Sequence, residues 1–487
     1  MRRERNRRSF TLAVAVPLIG CLSAKAAAQS PPGLQGSRNV HVLSHIPLGH
    51  AFTVAGIEME QELARPYVYV PRNLGVTHDG GFDIISIADL AHAKVIYPWR
   101  IEHPELHTGF GGMEGKYFKT HGRYYYVNCF QFLLTGPDAD LGAIVFDVTG
   151  LPDTSKIREV GRMRAPNSAV AAETDPAVIA RRGSAADLPG GFHNVFPYKH
   201  SDARVLMVAN TLTATYATIF DMDKYLAGAP DQGFVSRIPV PGATGRYHDY
   251  YVGYDPATHQ DKFYGGVQPG GYFVFDLTRP EEPKLLTSVT VGYPAITSSF
   301  GRGHTVTPSP DGRYLVTETE YQYAPLRIFD LKPGLEGTVQ TITRPIGAWT
   351  ARWQGLPHNH EIRWPYVFVS AYEDGLQVFN MMDPANPYTV GNYETYDGPR
   401  QAGIAAAGQY DANLRAGTGG VLNGAWGVDV RNADGVIVIS DIATGFWALK
   451  MDGFDHWNGH DWGMPNVSSV QDWDNGPDGA PKRTKTT

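Results

Sequence analysis

One short pattern recurs along this chain and constrains its fold more than any other feature. It is an apolar strand, a gap, a second strand ending in a Val-Phe-Asp type of sequence, then Pro-rich residues and another short strand. The clearest copy runs through Pro365-Tyr366-Val367-Phe368-Val369-Ser370, Gly375-Leu376-Gln377-Val378-Phe379-Asn380 and Asp383-Pro384-Ala385-Asn386-Pro387. Others lie at 262–283 and 313–330, with weaker copies around 84–88, 143–147, 218–221 and 445–449. Seven copies at roughly one per 55 residues match a ring of four-stranded antiparallel blades, whereas stacked helical repeats need a 3.6-residue periodicity that is absent. The fold expected is therefore all-β, a seven-bladed β-propeller over 55–455. Its blades are expected near 55–105, 106–165, 190–242, 246–296, 302–348, 356–398 and 422–455. Turn dipeptides such as Asp311-Gly312 and Asp434-Gly435 suit the hairpins within blades.

The ends read differently. Residues 1–28 begin with a basic run, continue through the apolar 11–24 and offer Ala26-Ala27-Ala28 to a peptidase, the layout of a removable signal. Asn6-Arg7-Arg8-Ser9-Phe10 resembles a twin-arginine signal, which points to a periplasmic or secreted protein. Leu18-Ile19-Gly20-Cys21 resembles a lipobox, so a lipid anchor on Cys21 is the alternative to release. No permanent membrane span is expected, because the apolar stretch is too short. Residues 29–54 are expected as an N-terminal extension, and 456–487 as an aromatic C-terminal segment whose last part is disordered. Insertions are expected at 166–189 and 399–421.

Composition excludes some functions. A net charge of −7 with no basic cluster in the mature chain argues against nucleic acid as a partner. Only Cys21 and Cys129 exist, so there is no disulfide framework, and Cys129 lies in an apolar run as a buried thiol would.

The strand that opens each blade lines the central channel. Reading its first residues gives His193, His248, His304 and His360, separated by 55, 56 and 56 residues. One imidazole per blade at one register places four of them around one point on the axis. Imidazole suits a transition metal ion such as Fe, Cu, Zn or Mn, and such a set leaves a position for water or substrate. The same register holds Glu114 in blade 2, a further ligand or an acceptor that orients an imidazole, and Trp426 in blade 7. His358, two residues before His360, is expected as a spare ligand or an acid/base; Tyr247, beside His248 and Arg246, is expected as an acid/base group in its own right. A single histidine at a strand start is usually structural, and a repeated one can be inherited blade packing. His121 and His200 are expected to be solvated at hairpin turns. Tyr250, Tyr251, Tyr272, Trp349, Trp353 and Trp426 are aromatic candidates for the channel mouth, with packing as their ordinary role.

The segment 375–387 resembles the LVIVD repeat of exported bacterial β-propellers, and the resemblance extends loosely over all seven units. It implies a blade and no chemistry. A more distant similarity is to selenium-binding and methanethiol-oxidase propellers, which join such blades to histidine-rich metal sites; no catalytic residue follows from it. Three functions remain open at this point. One is a metal-dependent oxidoreductase or oxygenase acting on a small molecule at the channel mouth. Another is a polysaccharide lyase or hydrolase using His, Tyr and Arg. The last is a non-enzymatic binding or adhesion propeller.

Overall fold

The computed structural model describes residues 35–49, 53–73, 80–107, 109–132, 138, 140–165, 190–243, 245–290, 303–320, 324–352, 355–396, 423–463, 466 and 468–475. The expected signal 1–28 with Cys21, the insertions 166–189 and 399–421, Trp353 and the tail beyond 475 lie outside them. From Gly36 onward the chain forms one compact unit, a seven-bladed β-propeller.

Each blade is built on a four-stranded antiparallel sheet, and in blades 1 to 6 its strands follow chain order outward from the axis. Blade 1 uses Glu58–Met59, Tyr67–Arg72, Gly81–Ser86 and Lys94–Arg100, and blade 2 uses Gly109–Thr120, Arg123–Phe132, Leu141–Asp147 and Arg158–Arg164. Blade 3 runs through Asn194–Lys199, Val205–Asn210, Tyr216–Asp221 and Phe234–Pro239. Blade 4 runs through Arg246–Asp255, Gln260–Gln268, Gly271–Asp276 and Lys284–Val289, with a short parallel addition, Thr341–Ile342, contributed by blade 5. Blade 5 consists of Val306–Pro308, Tyr314–Thr317, Leu326–Asp330 and Gly347–Trp349; blade 6 of Asn359–Arg363, Tyr366–Ser370, Leu376–Asn380 and Tyr388–Tyr393.

Blade 7 is built differently. Its three inner strands are Ala425–Val430, Val436–Asp441 and Gly445–Met451, and its outermost strand is Val40–Ile46 from the other end of the chain. The pairing runs from Val40 opposite Met451 to Ile46 opposite Phe446. The segment 29–54, expected as an extension outside the propeller, thus supplies the strand that completes blade 7. Before reaching blade 7 it laps the outer strand of blade 6, where Ser37 N–H donates to the Asn392 carbonyl (2.9 Å).

The strand pattern follows from position in the stack. Second strands such as Val205–Asn210 are covered on both faces by neighbouring blades, so every residue is buried and the sequence is a continuous apolar run. Outer strands such as Lys284–Val289 face solvent and carry charge. Neighbouring blades meet through aromatic side chains: Phe82 lies 4.9 Å from Tyr126 and 4.8 Å from Phe146, joining blades 1 and 2. Where the chain enters a new blade it passes against the backbone of the previous one. At Gly191 (φ +67°) a Cβ would stand 2.3 Å from the carbonyls of both Phe130 and Leu141, so only glycine permits the crossing that delivers His193 to the axis. No helix among the described residues is long and apolar enough to cross a membrane.

Candidate metal centre

The innermost strands begin at one end of the channel, and there the histidines meet. Ring centroids of His193 and His248 are 4.1 Å apart, those of His248 and His304 4.2 Å, and those of His304 and His358 4.9 Å. Four successive blades, 3 to 6, therefore contribute imidazoles in a continuous arc. Trp426 of blade 7 extends it, 4.2 Å from His358.

The arc departs from the expected histidine ring in blade 6. In blade 6 the residue at the axis is His358, and His360 stands deeper. Backbone register explains this. The N–H groups of His193, His304 and His358 each donate to the residue closing the second strand's ladder, namely Asn210 (2.8 Å), Glu318 (3.0 Å) and Ser370 (2.8 Å). His358 is thus the counterpart of His193 and His304, while the Nδ1 of His360 turns to Glu318 Oε2 (3.1 Å).

The residue after each of these histidines forms a second belt. Asn194 Nδ2 donates to Asp249 Oδ1 (3.0 Å), and the Thr305 hydroxyl lies 2.9 Å from Asp249 Oδ2 and 2.6 Å from Asn359 Oδ1. Asp249 thereby stands directly beneath the imidazoles, 3.3 Å from His248 Nδ1 and 3.4 Å from His304 Nδ1. A second acid, Glu320, approaches from the end of blade 5's second strand. Its Oε2 is 3.4 Å from His304 Nε2 and its Oε1 is 3.9 Å from His358 Nε2. Sequence reasoning missed both acids. The signals were present, in an acid adjacent to His248 and in Glu318-Thr319-Glu320 at a strand end, but neither repeats from blade to blade.

Two groups have their donor atoms within 4.8 Å of one another: His193, His248 and Asp249, and His248, His304 and Glu320. His248 belongs to both. Glu114 and His360, expected as ligands, belong to neither. Glu114 lines the chamber below the belt, with burial pushing its carboxyl up to about 7 against the pull of Lys116. Tyr247, expected as an acid/base, is fully buried in the core of blade 4; its hydroxyl donates to the Pro239 carbonyl (3.0 Å) and burial raises it further from ionisation. It is a packing residue. His200, expected to be solvated, is buried too, with Nε2 donating to the Leu277 carbonyl (3.1 Å) and Nδ1 accepting from Asp202 N–H (3.1 Å). His121 is exposed at its hairpin turn, and Cys129 is fully buried with its thiol donating to the His193 carbonyl (3.3 Å).

The electrostatics favour lone pairs on nitrogen. Burial drives His193 well below the usual histidine range, with the neighbouring His248 adding to the effect; it brings His304 down to about 3 and His358 to about 4. Burial would raise Asp249, but His304 and His248 outweigh it and hold the carboxyl well below its ordinary value. His193, His304 and His358 are therefore held as neutral imidazoles, and Asp249 as a carboxylate. The tautomer of His358 follows from its partner. His358 Nδ1 lies 2.7 Å from the Trp426 carbonyl, which only accepts, so Nδ1 carries the proton and Nε2 the lone pair. His304 Nδ1 faces the Thr305 hydroxyl (3.0 Å) and Asp249 Oδ2 (3.4 Å), and its Nε2 faces Glu320 Oε2. That Nε2 is buried and has no hydrogen-bond partner among the described residues. A metal cation between this Nε2 and Glu320 Oε2, or a proton on the imidazole or the carboxyl group, would satisfy both groups. With metal–ligand bonds of about 2.1 Å, donors 3.4 Å apart subtend about 110° at the metal, a tetrahedral angle.

The channel beyond the belt is a small polar chamber of about 70 Å³. Ser468 and Ser469 of the C-terminal segment line its far side. Ile362 N–H donates to Ser468 Oγ (2.7 Å), Ser469 N–H reaches the Glu361 carboxylate (3.3 Å) and Ser469 Oγ donates to Asp429 (3.2 Å). The Tyr251 hydroxyl donates to the Asn466 carbonyl (2.7 Å), and Gln471 bridges Val252 and Lys199 (3.1 and 3.2 Å).

A scan against models of known protein families finds no match to this chain, and no curated protein matches it.

Proposed function

We propose that this protein is an exported, metal-dependent oxidoreductase or oxygenase whose ion is held by the imidazole arc on the propeller axis. The single observation that carries the reading is the convergence of donor atoms from His193, His248, His304, Asp249 and Glu320 on the axis, with His304 Nε2 buried, without a hydrogen-bond partner among the described residues and 3.4 Å from Glu320 Oε2. Nitrogen and carboxylate oxygen without thiolate suit Fe, Zn or Mn, and Cu(II) among the softer ions. His248, shared by both donor groups, is the pivot of the set, with His193, His304, Asp249 and Glu320 around it. Such a set need not fill the coordination sphere, which leaves room for a small-molecule substrate at the histidine end of the channel. Export through the twin-arginine-like signal at Asn6-Arg7-Arg8-Ser9-Phe10 fits a cofactor loaded before translocation. The lyase or hydrolase alternative is weakened, because Tyr247 is committed to blade packing.

Elemental analysis of protein purified from the periplasm tests the reading. The expected result is about one equivalent of a transition metal, lost in His248→Ala because both donor groups lose a member. Wild-type protein that holds no metal and takes none up would leave the non-enzymatic binding propeller as the better account.

A further inference from the structure

The turn that follows strand Tyr366–Ser370 contains a backbone outlier. Tyr372 has φ +40°, a region where a bulky side chain is strained and persists only when its surroundings enforce it. The enforcement is visible. Tyr372 and Ala425 exchange two backbone hydrogen bonds of 2.9 Å, tying blade 6 to blade 7. Gly375 N–H donates to the same Tyr372 carbonyl (2.9 Å). Gly424 is pressed so closely that a Cβ there would lie 2.1 Å from the Tyr372 carbonyl oxygen.

What the strained backbone delivers is a phenol at the metal centre. The Tyr372 ring is 5.2 Å from that of His358, and its hydroxyl donates to Glu320 Oε1 at 2.6 Å. The other oxygen of Glu320 is the one that faces His304 Nε2. One carboxylate oxygen is thus held by a neutral donor while its twin is aimed at the imidazole arc.

We propose that Tyr372 is a positioning residue that fixes Glu320 as the carboxylate ligand of the centre, bound through one oxygen beside His248 and His304. The proposal rests on the metal reading above. A ligating carboxylate is a free rotor unless something orients it, and removing such an orienting partner typically weakens metal binding about 10–100-fold. Holding one oxygen away from the ion also keeps Glu320 from chelating with both, which preserves a coordination position for substrate.

Cobalt(II) is the probe, because its visible spectrum reports ligand number and geometry. The metal-free full-length protein is titrated with Co(II) as wild type, Tyr372→Phe, Glu320→Gln and the double variant. The expected result is binding in wild type, about 10–100-fold weaker binding with an altered spectrum in Y372F, a similar spectral change in E320Q, and no further loss in the double variant. Y372F that binds as tightly as wild type with an unchanged spectrum would overturn the positioning role and leave the metal centre standing. Wild type that binds no Co(II) overturns the metal reading itself. If Y372F does not fold, E320Q decides: an unchanged affinity and spectrum removes Glu320 from the ligand set and the proposal with it, whereas weaker binding with an altered spectrum supports it.

Discussion

At the scale of single residues, the difference between His358 and His360 shows what numbering alone can and cannot reveal. Even spacing selected His360, because counting residues treats every blade as the same length. Hydrogen-bond register selects His358, two residues earlier, because blade 6 enters its strand with His358 N–H already paired to Ser370. The structure gives the two histidines separate work, and variants separate it. His358→Ala is expected to weaken metal binding, since His358, though in neither donor group, holds its Nε2 3.9 Å from Glu320 Oε1. His360→Ala is expected to keep the metal but to lose about 1–3 kcal/mol of stability, because Glu318 is fully buried and loses its imidazole partner. Denaturant unfolding and metal content of both variants check this; a metal-free H360A beside a metal-loaded H358A would restore the spacing argument. The three histidines that begin blades 3, 4 and 5 were legible because repetition placed them at one register. Asp249, Glu320 and Tyr372 were not, since each is unique to its blade and acts through tertiary contact.

At the scale of elements, the blades were legible from strand–gap–strand text, and one strand was not. Middle strands announce themselves as apolar runs because both faces are buried. Val40–Ile46 is mostly exposed or half-exposed and carries His41, Ser44 and His45, so no apolar pattern marks it. The available hint was negative: the last expected unit, 422–455, is too short for four strands. The strand's role is nevertheless large, because without it Gly445–Met451 becomes an unpaired edge. Deleting residues 36–47 is therefore expected to lower the unfolding midpoint sharply and to promote association through the bared edge. Light scattering and thermal unfolding report both effects, and a synthetic peptide of residues 36–48 should reverse them. Unchanged stability in the deletion would mean that the three-stranded blade 7 closes the ring by packing alone.

At the scale of the whole molecule, the two ends of the chain do different work. The N-terminal strand completes blade 7, and the C-terminal segment is fastened across the inner strands. The second bears on the candidate metal centre, because Ser468 and Ser469 line the chamber beneath the imidazoles. Ser468, Asn466 and Gln471 are buried there, in hydrogen bonds to the inner strands of blades 3, 4 and 6. At about 0.5–1.5 kcal/mol net for each such bond, ending the chain at residue 463 is expected to cost several kcal/mol. The blades themselves lose no strand, so the truncated protein is expected to remain a propeller and to retain its metal at equilibrium. Its kinetics should differ. With Ser468 and Ser469 gone from the lining of the chamber, water and a small chelator are expected to gain a second approach to the ion, through the belt of Asn194, Asp249, Thr305 and Asn359, and stripping by chelator should accelerate. The comparison of stripping rates in full-length and truncated protein, at a temperature where both are folded, isolates access from stability. Equal rates would show that the ion exchanges only through the histidine end, and the C-terminal segment would then be a fastening of the blades with no part in guarding the centre.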